Sequence, residues 1–237
     1  MNTGKEVLNV LKKSGNKKKA LLSMRFFKTK KGQYGAGDMF LGLTVPECRN
    51  IAGKAKDLPL KEIAILLKNP YHEARLIALF IMILQFNKGV VSQKQIITMY
   101  KTHLAFVNNW DLVDASAYHL LGAWLLEKKD RSVLYTFSKS KDLWKNRIAI
   151  VATFAFIRQN DFSDTLEISR QLLAHKHDLI HKAVGWMLRE VGKRDKELLK
   201  SFLKTHRPFI HSTTLSYALE KFSFEEKQDI RQGAKLL

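Results

Sequence analysis

The sequence predicts an all-α protein, a solenoid of stacked helix pairs. Three observations carry that prediction. Apolar residues recur at helical spacing along almost the whole chain. Only 4 Pro and 12 Gly interrupt 237 residues, too few breakers for many short strands. A unit of about 36 residues returns from roughly residue 72 to the end.

The elements follow in order. Helices are expected at 4–13 and 18–28, where Val7, Leu8, Val10, Leu11, Leu21, Leu22, Met24, Phe26 and Phe27 are interleaved with cations. The next, 46–55, opens on Thr44-Val45-Pro46, because proline suits a first helical turn. Then come 60–68, 72–87 and 92–104, the last preceded by Ser92. Helices at 110–127, 131–139 and 143–159 lead to 162–174, with Asp161 and Ser163 ahead of the run that starts near Thr165. The remainder are 178–193, 195–205 with Asp195 at its start, 211–221 and 224–235.

The repeat is visible in HEARLIALFIMILQF, LWKNRIAIVATFAFI and DLIHKAVGWMLREV, which align Arg75, Arg147 and Lys182. Asp111 lies 36 residues after Arg75, and Tyr217 lies 35 after Lys182. Each unit is a longer helix followed by a shorter one. That pattern is of HEAT type: a right-handed superhelical solenoid of HEAT-like helix pairs with a concave basic groove. No linker interrupts it, so residues 1–237 read as a single domain.

Charge narrows the partner. The chain has 41 Lys+Arg against 22 Asp+Glu, a formal charge of +19. Such an excess repels itself, so folding does not explain it, and polyanions are the natural partner. Residues 1–60 alone hold 13 Lys+Arg and 4 Asp+Glu. Lys12, Lys13, Lys17, Lys18, Lys19, Arg25, Lys28, Lys30 and Lys31 make most of that excess, either as a solvated face or as a phosphate-tracking surface. No uninterrupted apolar run reaches the roughly 18–20 residues of a membrane span, so no membrane role is expected. The N-terminus lacks the apolar core of a secretory signal. The single cysteine, Cys48, excludes an internal disulfide and a cysteine-based zinc site, and suits a cytoplasmic protein. A monomer is expected, since a solenoid groove needs no partner chain.

One segment departs from the repeat. KTKKGQYGAGDMFLG, residues 28–42, holds 4 of the 12 glycines with Tyr34 and Phe40. Its G-x-x-G-x-G order lacks a preceding strand and a GK[ST], which argues against a nucleotide cradle. A surface loop, a short hairpin or a basic loop that touches nucleic acid all remain open.

The 36-residue period also brings chemistry together. Trp110 and Asp114 are four apart and share a helix face. In register, Arg147 falls on the next repeat, and Lys182 with Trp186 on the one after. The expected strip has two indoles, one carboxylate and two cations. A structural alternative is an Asp114–Arg147 ladder rung with the tryptophans packed inside. Asp111 is the competing acid, facing a neighbouring part of the groove or capping its helix. As chemistry, the strip suits a reaction on DNA that passes through a sugar cation. Indole faces attract cations, Arg and Lys hold phosphates, and a carboxylate stabilises an oxocarbenium-like transition state. An alkylated purine already carries positive charge and leaves without a second acid, so Asp114 alone suffices to stabilise the sugar cation and orient water.

At these residues NNWDLVD, LWKNRIAI and HKAVGWMLREVGKRD resemble the DNA alkylation repair family of HEAT-like-repeat DNA glycosylases, the AlkD type, over roughly residues 20–220. The resemblance implies excision of 3-alkyladenine- and 7-alkylguanine-type bases from double-stranded DNA, with no metal or nucleotide cofactor. It places the catalytic carboxylate on Asp114, the flanking indoles on Trp110 and Trp186, and the phosphate-holding arginine on Arg147. A tyrosine of the family falls on Phe26, which lacks the hydroxyl, and a longer amide falls on Thr44. Some relatives keep the fold without the activity. The alternative is therefore a non-catalytic HEAT-like-repeat protein recognising branched, bent or damaged DNA, with a protein-binding scaffold third.

Other candidates have plainer readings. His175, His177 and His181 read as connector and helix-start residues rather than a zinc set, since no third ligand and no H-E-x-x-H accompany them. Cys48 reads as a packed cysteine. Trp124 and Trp144 read as repeat core.

Overall fold

The computed structural model describes residues 1–89 and 91–232. Among these residues the chain is all-α; there is no strand, only an isolated bridge between Met39 and Tyr71. The chain groups into two compact units, Met1–Ser116 and the part that begins at Ala117.

The first unit contains α1 (Gly4–Ser14), α2 (Lys17–Phe26), α3 (Val45–Lys54), α4 (Leu60–Leu67), α5 (His72–Lys88), α6 (Gln93–Thr102) and α7 (Trp110–Ser116), with a 3-10 turn at Leu104–Phe106. Local chemistry sets the helix starts. Thr3 accepts the Glu6 N–H and Asn16 accepts the Lys19 N–H. Pro46 sits in the first turn of α3, as expected. There the Thr44 N–H and hydroxyl both donate to Glu47 Oε2, at 2.6 and 2.7 Å. Helix α5 is central. Residues Ala74 to Met82 are buried without a polar face, and α3, α4 and α7 pack against it. It ends at Gly89, in the left-handed region at φ 66°, whose N–H returns to the Gln85 carbonyl.

The glycine-rich segment is anchored to that core. The buried Glu73 carboxylate of α5 accepts the backbone N–H groups of Leu41, Gly42 and Leu43 at 2.7–3.3 Å. Gly42 has φ 85°, and a Cβ there would lie 2.3 Å from the Asn16 carbonyl oxygen and 2.6 Å from the Ala20 nitrogen. Only glycine lets the segment cross the start of α2 this closely.

The second unit begins with a π-helical turn, Tyr118–Gly122. Then follow α8 (Ala123–Leu125), α9 (Ser132–Ser138), α10 (Leu143–Ala152), α11 (Phe154–Ile157), α12 (Ser163–Leu172), α13 (Asp178–Gly192), α14 (Lys196–His206), α15 (Ser212–Ala218) and α16 (Phe224–Gln232). Here α13 is central and packs on α10, α12, α14 and α15. The longer-then-shorter pattern holds in α5 with α6 and in α13 with α14. Residues 233–235 of the expected last helix lie outside the described residues.

Two expected helices are interrupted. The stretch 110–127 comes as α7, the π turn and α8. In the π turn the Gly122 N–H reaches back five residues to Ala117. The stretch 143–159 breaks at Thr153, whose hydroxyl donates to the Ile150 carbonyl at 2.7 Å. Starts also differ. Asp195 caps α14 through the Leu198 N–H, as expected. Ser92 makes no such side-chain bond, and Asp161 is paired with Arg131 at 2.6 Å instead. At Gly122 an added Cβ would meet the Ala152 carbonyl oxygen at 2.2 Å. Gly122→Ala should therefore lower stability by roughly 1–3 kcal/mol in denaturant titration, through overpacking against backbone; an unchanged midpoint would contradict this.

Candidate functional site

In the first unit, buried charges hold α7. Asp38, from the glycine-rich segment, is 4% exposed and His72 is 2% exposed. His72 bonds through Nδ1 to Asp38 Oδ2 at 3.3 Å and through Nε2 to Asp111 Oδ2 at 2.8 Å. Arg75 Nη2 donates to Asp38 Oδ1 at 2.7 Å, and the Asn109 amide donates to Asp38 Oδ2 at 3.1 Å. Asn109 Oδ1 accepts the Trp110 N–H at 2.8 Å, so Asn109 stands at the start of α7. Asp111 turns its Oδ2 to His72 rather than to the helix start, and its Oδ1 is buried without a hydrogen bond.

Electrostatics follow from these contacts. Burial opposes ionisation of Asp38, but the His72, Arg75 and Asn109 contacts outweigh it and hold the carboxyl below its ordinary range. Burial likewise opposes charge on His72, and Arg75 adds to that; Asp111 and Asp38 prevail and raise the imidazole to about 9. His72 is thus a cation at neutral pH and donates from both nitrogens. Because its folded value lies above the unfolded ~6.5, its stabilising contribution is full below that pH and is lost as pH rises through about 9. The melting temperature should fall across that window, and the fall should be smaller in His72→Gln. A wild-type profile flat over this range would contradict the assignment.

Above the network lies an aromatic cluster. Phe27 stacks on Trp110 at 5.3 Å and on Phe40 at 5.0 Å, and Phe40 stacks on His72 at 4.6 Å. Phe26 meets Trp110 edge-on at 5.8 Å and is exposed. Helix α7 buries Leu112, Val113 and Ser116 and leaves Trp110 and Asp114 half-exposed, one turn apart. The predicted residues Phe26, Trp110 and Asp114 thus share this unit, and the rings of the first two touch.

Sequence reasoning missed Tyr34, Asp38 and His72. The Trp110 Nε1–H donates to the Tyr34 hydroxyl at 3.2 Å, so the glycine-rich segment reaches the indole of α7. Tyr34 stood out in that segment as an aromatic among glycines, but nothing local linked it to Trp110, 76 residues away.

The second unit carries Arg147, Lys182 and Trp186. Arg147 is 5% exposed, and its Nη1 donates to the Leu179 carbonyl at the start of α13. Lys182 pairs with Asp178 at 2.8 Å across one turn of the same helix. Trp186, half-buried on α13, lies 6.0 Å from Phe154, which meets Tyr118 edge-on at 5.2 Å.

The remaining candidates resolve simply. His177 caps α13 through the Leu179 N–H, while His181 bonds the His175 carbonyl and stacks on His211 at 4.0 Å. Among the described residues no three His, Cys, Asp or Glu side chains gather as a metal site. Cys48 is fully buried, and burial, with Glu73 and Glu47 nearby, pushes its thiol up to about 12. Trp124 and Trp144 are half-buried rather than core, and Lys128 Nζ lies 4.4 Å over the Trp124 ring. No described helix is long and apolar enough to cross a membrane.

Comparison with known proteins adds two findings. A family model described as DNA alkylation repair enzyme matches residues 7–222. A solved structure described as a predicted DNA alkylation repair enzyme from Enterococcus faecalis superposes with a TM-score of 0.74. That match covers 89% of this chain and 97% of the other at 16% identity, which speaks for the fold alone. No curated protein matches.

Proposed function

Because the chain belongs to the DNA alkylation repair enzyme family, we propose that it is a DNA glycosylase hydrolysing the N-glycosidic bond of cationic alkylated purines, of 3-alkyladenine and 7-alkylguanine type, in double-stranded DNA. What supports this reading is the outward face of α7, where a half-exposed carboxylate, Asp114, stands one turn from an indole held by Tyr34 and Phe27. The alkylated purine departs with the electrons of its bond to C1′ and becomes neutral. The sugar is left as an oxocarbenium ion. Asp114 stabilises that cation and orients the water that adds to it; the water then loses a proton and an abasic site remains. As the family resemblance and the repeat register imply, Trp110 with Phe26 beside it in the first unit, and separately Trp186 in the second, are assigned to the cationic base, and Arg147 and Lys182 to phosphates. The reading takes residues 1–237 as one domain, a cytoplasmic, DNA-associated monomer that needs no cofactor.

One observation favours the second reading, a non-catalytic binder of branched, bent or damaged DNA. The two cations assigned to phosphate are already engaged inside the second unit, Arg147 by Leu179 and Lys182 by Asp178. The deciding experiment incubates the protein with duplex carrying radiolabelled methyl groups. Free methylated purine is the expected product. Tight binding to branched DNA with no base released would move the assignment to the second reading.

A further inference from the structure

We propose that α2 is a wedge for duplex DNA: Leu21 and Leu22 press into the minor groove against the base stack while Lys17, Lys18 and Arg25 take the flanking phosphates. The inference rests on the DNA reading above and adds to it the element that deforms the duplex.

Helix α2 has ten residues, and Ala20 alone among them is buried. Leu21 is 68% exposed, Leu22 67% and Phe26 64%, with Met24 exposed beside them. Helical spacing puts Lys18, Leu22 and Phe26 on one line and Lys17, Leu21, Met24 and Arg25 on the next. The outer face is therefore an apolar patch with cations at both ends. Phe209 and Phe224 are as exposed, but on separate elements; on α2 the apolar residues adjoin one another, and a contiguous patch of this kind marks an interaction surface.

Charge selects the occupant. From Val7 to Gly37 there are nine Lys and Arg and no Asp or Glu. None of Lys12, Lys13, Lys17, Lys18, Lys19, Lys28, Lys30 or Lys31 is buried. Position supports the same choice, because the patch runs into Phe26, whose ring meets Trp110 on the face that carries Asp114. Apolar side chains flanked by cations are how minor-groove proteins part a base step and bend the duplex. The attachment of α2 suits that role. The Asn16 N–H donates to the Leu41 carbonyl at 2.8 Å, and Gly42 lies against the backbone of its first turn, so the helix is fixed through backbone and through Ala20 while Leu21 and Leu22 stay exposed.

The test uses the full chain, wild type and Leu21→Ser/Leu22→Ser, both positions being exposed enough that folding is not at risk. Duplex carrying 2-aminopurine reports unstacking, and affinity is measured over a range of salt. Wild type is expected to raise the fluorescence. The double-serine variant should lose that rise and bind roughly tenfold more weakly with an unchanged salt slope, whereas Lys17→Ala/Lys18→Ala should lower the slope by about 2. Equal unstacking and affinity in wild type and double-serine variant would overturn the wedge and leave the DNA reading standing. No salt-dependent binding by wild type would overturn both. Two further outcomes would also overturn the wedge, because each assigns the patch to another occupant. One is leucine-dependent binding to phosphatidylserine vesicles without a DNA effect; the other is leucine-dependent self-association in sedimentation.

Discussion

Asp114→Asn is expected to slow release of methylated purine on the order of 100-fold or more and to change duplex affinity by less than about threefold. Asparagine has nearly the same shape, so the substitution removes a charge and little else. The position tolerates it, since α7 is packed by Leu112, Val113 and Ser116 on its other face. An amide can still hold a water by hydrogen bonding. It cannot offset a full positive charge developing on the sugar, and that is the larger task of the carboxylate in this mechanism. Ground-state binding comes mainly from phosphate contacts, which the change leaves alone. Release at the wild-type rate would remove Asp114 from the chemistry. A parallel loss of release and affinity would assign it to binding instead.

Asp38→Ala is expected to destabilise the protein by roughly 3–5 kcal/mol, read as a shift in denaturant midpoint at constant slope. The carboxylate is the hub of three buried donors, His72, Arg75 and Asn109. Removing it leaves two cations close together with Asp111 as the nearer remaining counter-charge, and strands the Asn109 amide. Loss of the His72 proton relieves part of this, which sets the lower end of the range. Asn109 stands at the start of α7, so Trp110 fluorescence should change along with stability. By contrast, breaking the solvent-exposed Lys182–Asp178 pair should cost well under about 1 kcal/mol. Similar costs for the two changes would mean that the buried network is not what fixes this end of the helix.

The helices were legible because their signal is local. Apolar spacing located most helices within a few residues, while reading α7 with α8 and α10 with α11 each as one helix, and the turn chemistry of Pro46 and Asp195 marked two starts. Breaks were not legible: the π turn at Tyr118–Gly122 and the interruption at Thr153 involve backbone pairing that residue type alone does not encode. Of the candidate site, Trp110, Asp114 and Phe26 were readable from spacing and resemblance. What supports them was not. Tyr34 reaches Trp110 across 76 positions, and Asp38 reaches Asn109 across 71. Periodicity is silent about a loop that folds back onto a helix. The glycines of 28–42 signalled unusual backbone, yet the burial of Asp38 and Phe40 within that segment follows only from the three-dimensional contacts. Arg147 shows the converse: its repeat position was apparent, whereas its bond to the Leu179 carbonyl depends on how α10 meets α13.

The sealed state of Cys48 has a chemical corollary. Methylating agents are electrophiles, and a thiolate outcompetes most other nucleophiles for them. Burial pushes the lone sulfhydryl up to about 12, and it lies on the inward side of α3, so little thiolate is offered at neutral pH. On the glycosylase reading, in which methylated DNA is the substrate, the protein presents the reagents that create that damage with almost no sulfur to attack.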